Sequence, residues 1–359
     1  KGESPVSFPA TNFRRNPSCA WQPEHPETTK PLKLFDHMKK ILGILSLLVF
    51  VFVATSILSD VFLDSYNLEN LLRRTALFGI ISIGVAFVII TGGIDLSIGS
   101  VVCLVGCALP WMLTEQGFSV PVALAAIVGF SLAVGFIHGI LITKVKLQPF
   151  VVTLCGLLLY RGITRGFTGD QSQGFGTDYK GLRELATGEV PIFGFDLPMP
   201  CIFLLVVAVL AGIFLNKTIY GRYLLALGNN EEAARFSGIN VDRMVILAYV
   251  ICALCSGLGG LLFVLDVNSA QPVDFGNFYE LYAIAAAVLG GCSLRGGVGT
   301  IIGVVIGTAL MQVLRNMIVL VDWIPTHIEY AIIGAVILAG VVADELLKKA
   351  VARRQASQS

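Results

Sequence analysis

The chain has 359 residues, of which 55% are hydrophobic and only 14% charged, with a net charge of +1 and a mean hydropathy of +0.80. An ordinary soluble domain carries roughly 25% charged residues, and a single apolar core stops growing near about 250–300 residues. The composition therefore points to an all-α, polytopic transmembrane bundle and excludes a soluble enzyme, a disordered scaffold and a nucleic-acid-binding protein.

Residues 1–35 are polar, carry Pro5, Pro9, Pro17, Pro23, Pro26 and Pro31, and read as a disordered tail. No apolar region follows a short basic start, so the segment does not read as a signal peptide. Ten apolar runs follow, at about 41–59, 75–91, 98–114, 120–143, 149–168, 197–215, 244–265, 278–293, 298–320 and 324–343. Most approach the ~20 residues that a spanning helix needs. Positive charge marks cytoplasmic loops. Lys33, Lys39 and Lys40 precede the first run, and Lys144 and Lys146 follow the fourth. Lys217, Arg222, Arg235 and Arg243 lie between the sixth and seventh, Arg295 after the eighth, and Lys348, Lys349, Arg353 and Arg354 after the tenth. All of these fall on one side if about ten spans leave both termini in the cytoplasm. Arg73, Arg74, Arg183 and Arg315 are exceptions or lie near outer ends. The expected organisation is a membrane domain over 36–347 and a cytoplasmic tail over 348–359.

Two hydrophilic segments interrupt the apolar pattern: 169–196 on the expected outer side and 216–243 on the inner side. Long loops in compact domains are usually functional. The outer one, around Asp170, Gln171, Gln173 and Asp178, offers polar side chains to a soluble partner or simply solvates itself.

A glycine break occurs twice. Thr91-Gly92-Gly93-Ile94-Asp95-Leu96-Ser97-Ile98-Gly99 closes the second run, and Gly290-Gly291-Cys292-Ser293-Leu294-Arg295-Gly296-Gly297 closes the eighth, 198 residues later. Both read Gly-Gly-x-x-Leu-x-x-Gly. Short, Gly-interrupted segments in corresponding halves point to a transport site. Gly92, Gly93, Asp95, Ser97, Gly290, Gly291 and Arg295 are therefore the pathway candidates. The alternatives are turns that merely mark span ends, or an ion pair or helix cap that holds the break. Both breaks fall on the same face in this count, as in a parallel repeat.

The other chemistry-bearing residues read as structural. Cys252 and Cys255 form an isolated C-x-x-C in an apolar stretch, without the further ligands that a zinc site needs. His138 sits mid-run and reads as an interhelical hydrogen-bonder. Ser293 and His327 fall at opposite faces, about 30 Å apart, so they make no nucleophile and base. No phosphate-binding G-x-x-x-x-G-K-[ST] loop occurs. Gly299, Gly303 and Gly307, and Gly135 with Gly139, form small-residue stripes for close helix packing.

The inner segment runs Gly221-Arg222, then Gly228-Asn229-Asn230-Glu231-Glu232-Ala233-Ala234-Arg235-Phe236-Ser237-Gly238. Asn229 or Asn230 suits an N-cap, Glu231 and Glu232 the first helical turn, and Gly238 the residue past the C-cap. Glu232-Ala233-Ala234-x-x-x-Gly238 resembles the E-A-A-x-x-x-G loop of ATP-binding-cassette importer permeases, without its usual I-x-L-P continuation. The Thr91–Ser100 segment, Gln148-Pro149-Phe150-Val151-Val152-Thr153-Leu154, Tyr160-Arg161-Gly162 and Gly228 to Ile239 resemble the ribose/xylose/arabinose/galactose permeases, most of all those of ribose type, over roughly 40–345.

The resemblance implies a multi-pass subunit of the bacterial cytoplasmic (inner) membrane that imports a monosaccharide by alternating access. It implies a sugar-binding protein, periplasmic or extracellular, at the outer face and a second permease chain as a homodimer within the lipid. It also implies a separate ATPase subunit that carries the ATP, so this chain needs no cofactor, metal or catalytic residue. The ATPase would engage Gly221, Arg222, Gly228, Asn229, Glu231, Glu232, Ala233, Ala234, Ser237 and Gly238. The alternative is an ion-gradient-driven secondary transporter of a small polar solute, for which only His138 and Asp95 offer mid-membrane ionisable groups.

Overall fold

The computed structural model describes residues 30–192, 195–321, 325–336, 338–339 and 342. Residues 1–39 form one unit, described only over its helical residues 30–39, and residues 40–359 form the other. The tail expectations for 1–29 and 348–359 lie outside the described residues.

Twelve α-helices occur among the described elements: α1 (Lys30–Leu58), α2 (Ser65–Ile90), α3 (Ile98–Pro110), α4 (Val120–Thr143), α5 (Pro149–Thr168), α6 (Lys180–Thr187), α7 (Met199–Lys217), α8 (Ile219–Asn229), α9 (Glu231–Phe236), α10 (Val241–Val267), α11 (Tyr279–Leu289) and α12 (Ile301–Leu320). Two short antiparallel pairs join them: β1 (Gln173–Gly174) with β4 (Ser269–Ala270), and β2 (Glu189–Ile192) with β3 (Phe195–Pro198). Among the described residues, eight helices are long and apolar enough to cross a membrane, α3 counting with the π-turn Trp111–Glu115 that continues it past Pro110. That turn follows directly on Pro110, which has no N–H to give to the ladder.

The polytopic helical expectation holds, and the count of ten is refined. The run 278–293 yields α11, whose 11 residues extend only about 16 Å at 1.5 Å per residue. The run 324–343 is described in part, with 329–336 helical.

Helix ends follow local chemistry. α4, α5 and α7 each open with a proline at the first or second position, where the missing N–H costs nothing. α5 ends on Gly169, whose φ of +58° is the left-handed turn that glycine adopts freely. From Ala76 to Ile90 α2 is apolar on every face, and its most apolar 18-residue stretch is 83% buried. A helix of that kind belongs at the centre of a bundle, and α7, α10, α11 and α12 surround it. α1, α4 and α7 keep most of their apolar surface exposed, as lipid-facing helices do.

The glycine stripes do pack helices. Gly135 and Gly139 of α4 lie against the α10 backbone at Tyr249–Val250 and Ile246, while Gly303 and Gly307 of α12 lie against Gly290 and Ala286 of α11 and its end. Far from the inner segment, Arg73 of α2 pairs with Glu69 at 2.7 Å, Glu189 of β2 at 3.1 Å and Asp266 of α10 at 3.4 Å. Arg183 of α6 donates to the Leu265 carbonyl at 3.2 Å. Arg73 and Arg183, two of the arginines that break the charge pattern, therefore tie the segment 169–196 to the bundle. That segment is folded: Gln173, expected to face solvent, is buried in β1. The Arg165 guanidinium holds the Asp170 carboxyl below its ordinary value through paired hydrogen bonds of 2.7 and 2.8 Å.

Candidate functional site

The first break turns away from α2 at Gly92, whose φ is +81°. Gly92 N–H donates to Ile89 O at 2.9 Å and Gly93 N–H to Val88 O at 3.1 Å, which closes the helix end. The chain then re-enters the bundle. Asp95 is 2% exposed, and its Oδ1 accepts from the Ser97 backbone N–H at 2.9 Å and the Ser97 hydroxyl at 2.7 Å. This is an Asx turn just ahead of α3: the carboxylate satisfies the N–H and the hydroxyl of Ser97, the residue from which the helix starts. The exposed-backbone problem at Ile94 is solved from neighbouring helices: its carbonyl accepts from Tyr249 Oη of α10 at 3.1 Å and from Thr153 Oγ1 of α5 at 3.4 Å.

The second broken element lies opposite. Between α10 and α11 the backbone is irregular from Asn268 to Phe278, with positive φ at Asn268, Gly276 and Phe278. Arg161 of α5 serves it, donating from Nη1 to Pro272 O at 3.0 Å and Phe275 O at 2.7 Å. The Cys103 thiol of α3 adds a weak bond to Pro272 O at 3.5 Å. Non-helical backbone at membrane depth survives only with such partners. Gly99, in the first turn of α3, meets the Gly276 carbonyl and the Glu280 carboxylate of α11, leaving no space for a side chain. The N-termini of α3 and α11 therefore converge inside the bundle, with Asp95 and Glu280 both buried there.

His138 of α4 meets Tyr160 of α5, Nε2 to Oη at 2.9 Å, which is the interhelical hydrogen bond its position suggests. Cys252 and Cys255 are free thiols on α10 that pack against Gly84 of α2. Among the described residues, no group of three or more His, Cys, Asp or Glu side chains is placed to hold a metal.

The second break is a tight turn after α11. Gly291, Gly296 and Gly297 have φ of +90°, +84° and +75°. Ser293 N–H donates to Val298 O at 3.0 Å and Gly296 N–H to Ser293 O at 2.8 Å. Arg295 is exposed at its tip, whereas Asp95 is buried. The two breaks meet at one end of the bundle: Gly297 N–H donates to Ile90 O at 2.9 Å. Their surroundings differ, because the first leads into α3, which with its π-turn is long enough to span, and the second leads out of the half-length α11.

The inner segment packs against this same end. Thr218 caps α8 by accepting from Gly221 N–H at 3.2 Å, and Gly221 has no room for a side chain beneath Leu215. Asn230 caps α9, accepting from Ala233 N–H at 2.9 Å. Glu231 and Glu232 fill the first turn, and Gly238 follows at φ +83°. Ala234 is buried, while Arg222, Asn229, Glu231, Glu232, Ala233 and Ser237 are exposed. Phe236, not singled out from sequence, projects 91% exposed at the end of α9. A cleft of about 330 Å³ opens between the first break and the start of α9, lined in part by Gly92, Gly93, Gln148, Glu231, Asp242 and Tyr249.

The description "Branched-chain amino acid transport system / permease component" defines a family that matches residues 67–341, a stretch holding both breaks and the inner segment. The chain belongs to this family. Its similar relatives include the ribose import permease protein RbsC of Bacillus subtilis, 38% identical over 313 residues, covering 86% of this chain and 94% of that protein. RbsC of Escherichia coli K12 is 36% identical and covers 84% of this chain and 92% of that protein. The xylose transport system permease protein XylH of Haemophilus influenzae is 31% identical, covering 86% and 96%. No solved structure matches the chain significantly. Within this family member, sequence reasoning passed over Arg161, Tyr249 and Glu280 as site residues. Glu280 stands as a lone charge in its apolar run and Arg161 shares its own only with Arg165, a signal for functional or structural polar sites.

Proposed function

We propose that the chain is the membrane permease of an ATP-binding-cassette importer that brings a monosaccharide, ribose or a related sugar, into the cell. One observation carries this: similarity to ribose import permeases runs across 94% of the Bacillus subtilis protein, breaks and inner segment included. The family description names branched-chain amino acids, while the similar relatives are named for ribose and xylose, so sugar is the favoured cargo.

In this reading a separate ATPase carries the ATP and seats on α8–α9, the exposed, capped knob at the basic end of the bundle. A sugar-binding protein, periplasmic or extracellular, docks at the other end, in the cytoplasmic membrane of a bacterium, with both permease termini inside. A second copy of the chain completes the pathway. α5 supports that copy: it is the least apolar of the eight spans, yet as little buried as α4. Lipid alone is a poor neighbour for such a face. Transport is then a two-state equilibrium that the nucleotide and the loaded binding protein bias through differential contacts.

The test is uptake into vesicles holding the permease and ATPase, with the binding protein outside. ATP-dependent uptake of ribose that excess leucine does not compete away is expected. Uptake that persists without the ATPase and collapses with the proton gradient would instead indicate the ion-driven transporter. An intact permease–ATPase complex after deletion of 230–238 would remove α9 from the docking site.

A further inference from the structure

Three stretches of main chain meet without an intervening side chain. The first is the end of α2 with its break (Ile90, Gly92), the second is the turn Gly296–Gly297, and the third is the end of α8 (Gly228, Asn229). A Cβ on Gly228 would overlap the Ile90 carbonyl oxygen and the Gly297 amide nitrogen. Those two atoms are hydrogen-bonded to each other at 2.9 Å, so Gly228 lies directly on the bond that joins the two breaks. A Cβ on Gly296 would come within 2.7 Å of Gly228 O and 2.9 Å of Gly92 N. One on Gly297 would come within 2.9 Å of the Asn229 Cα. Asn229 is followed at once by Asn230, the cap of α9, whose N–H donates back to Ala226 O of α8 at 3.1 Å.

We infer that Gly228 is the joint by which a displacement of α8–α9 moves both breaks together. The physical reason is the absence of side chains. A side-chain contact absorbs a small shift by changing rotamer, whereas close-packed main chain transmits it. Gly228 touches no cargo; it is a positioning residue that links the inner segment to the mouths of α2 and α11. The inference rests on the importer reading above and adds to it the residue that couples docking to the bundle.

Gly228→Ala in the vesicle system, with ATPase and binding protein present, tests this. Gly212→Ala is the control, because Gly212 on α7 has open space around its Cα. For Gly228→Ala, sugar moved per ATP hydrolysed should fall at least about five-fold, the low end of ordinary coupling between sites. Gly228 belongs to the segment that the ATPase would engage, so the readout is this ratio, taken per complex assembled, and not capture or hydrolysis by itself. Gly212→Ala should keep the wild-type ratio. A merely structural lesion lowers hydrolysis and uptake together and leaves the ratio unchanged, and that outcome overturns the joint. Should the variant not accumulate, hydrogen exchange in the wild-type complex decides. Nucleotide addition should alter exchange in both 88–97 and 289–299, and a change in only one of them, or in neither, overturns the inference. Failure of wild-type ATP-driven uptake would instead count against the importer reading.

Discussion

Asp95 shows how a charge in an apolar setting can be spent on structure. Its Oδ1 takes both donors that Ser97 offers at the start of α3. Removing the acceptor leaves a buried N–H and hydroxyl unmet, at about 1–3 kcal/mol. Asp95→Ala should therefore lower the thermal unfolding midpoint of the detergent-purified protein, and Asp95→Asn, which keeps a carbonyl oxygen, should lower it less. If the two variants fall equally, the turn is not what the carboxylate contributes. The sequence placed Asp95 in a break and left cap, ion pair and pathway open; the hydrogen bonds make it the acceptor of a turn onto Ser97. Arg161 was less legible. Its acceptors, Pro272 and Phe275, lie more than a hundred positions away, and they accept only because the chain there is not helical. No local pattern announces a guanidinium that serves remote main chain.

At the scale of elements, α9 was readable because its instructions are local. Asn, two glutamates, small residues and a glycine specify a short helix by capping and dipole. The surface we propose for docking was only partly readable, since nothing in the pattern says which side Phe236 faces. Its 91% exposure makes it the natural anchor for a protein partner, because interface energy concentrates in a few aromatic and Arg residues. Phe236→Ala should weaken ATPase capture by about 2 kcal/mol, some thirty-fold in Kd by pull-down titration, with the unfolding midpoint of the permease unchanged. An equal loss in both measurements would place Phe236 in the fold instead. α11 marks the opposite limit. Its apolar run looks like a span in sequence, and only the irregular stretch before it, fixed by Arg161 and by contact with Gly99, shows that the helix is half-length.

For the whole molecule, hydropathy and charge were enough to specify a helical bundle in a membrane, because lipid demands the same property of every exposed residue. They could not specify which spans stand at the centre. α2 and α7 both carry long apolar stretches, yet that of α2 is almost wholly enclosed and that of α7 hardly at all. That difference comes from the glycines. Gly79, Gly84 and Gly93 let Leu204, the α10 backbone and Tyr249 approach α2 closely, a fact of neighbours and not of α2 alone.

The half-length of α11 bears on how the protein is made. A segment that short gives the insertion machinery too little apolar length to be recognised as a span. The stretch from Asn268 to Phe278 cannot enter lipid before Arg161 and α3 are there to receive it. Assembly is thus ordered: α3 and α5 must be in the membrane first, and α11 then slides in against them. Residues 268–290 grafted alone into a carrier protein should fail to integrate in a glycosylation-reporter assay, whereas Ile301–Leu320 should integrate. Independent integration of the 268–290 graft would mean that the segment needs no help from its neighbours.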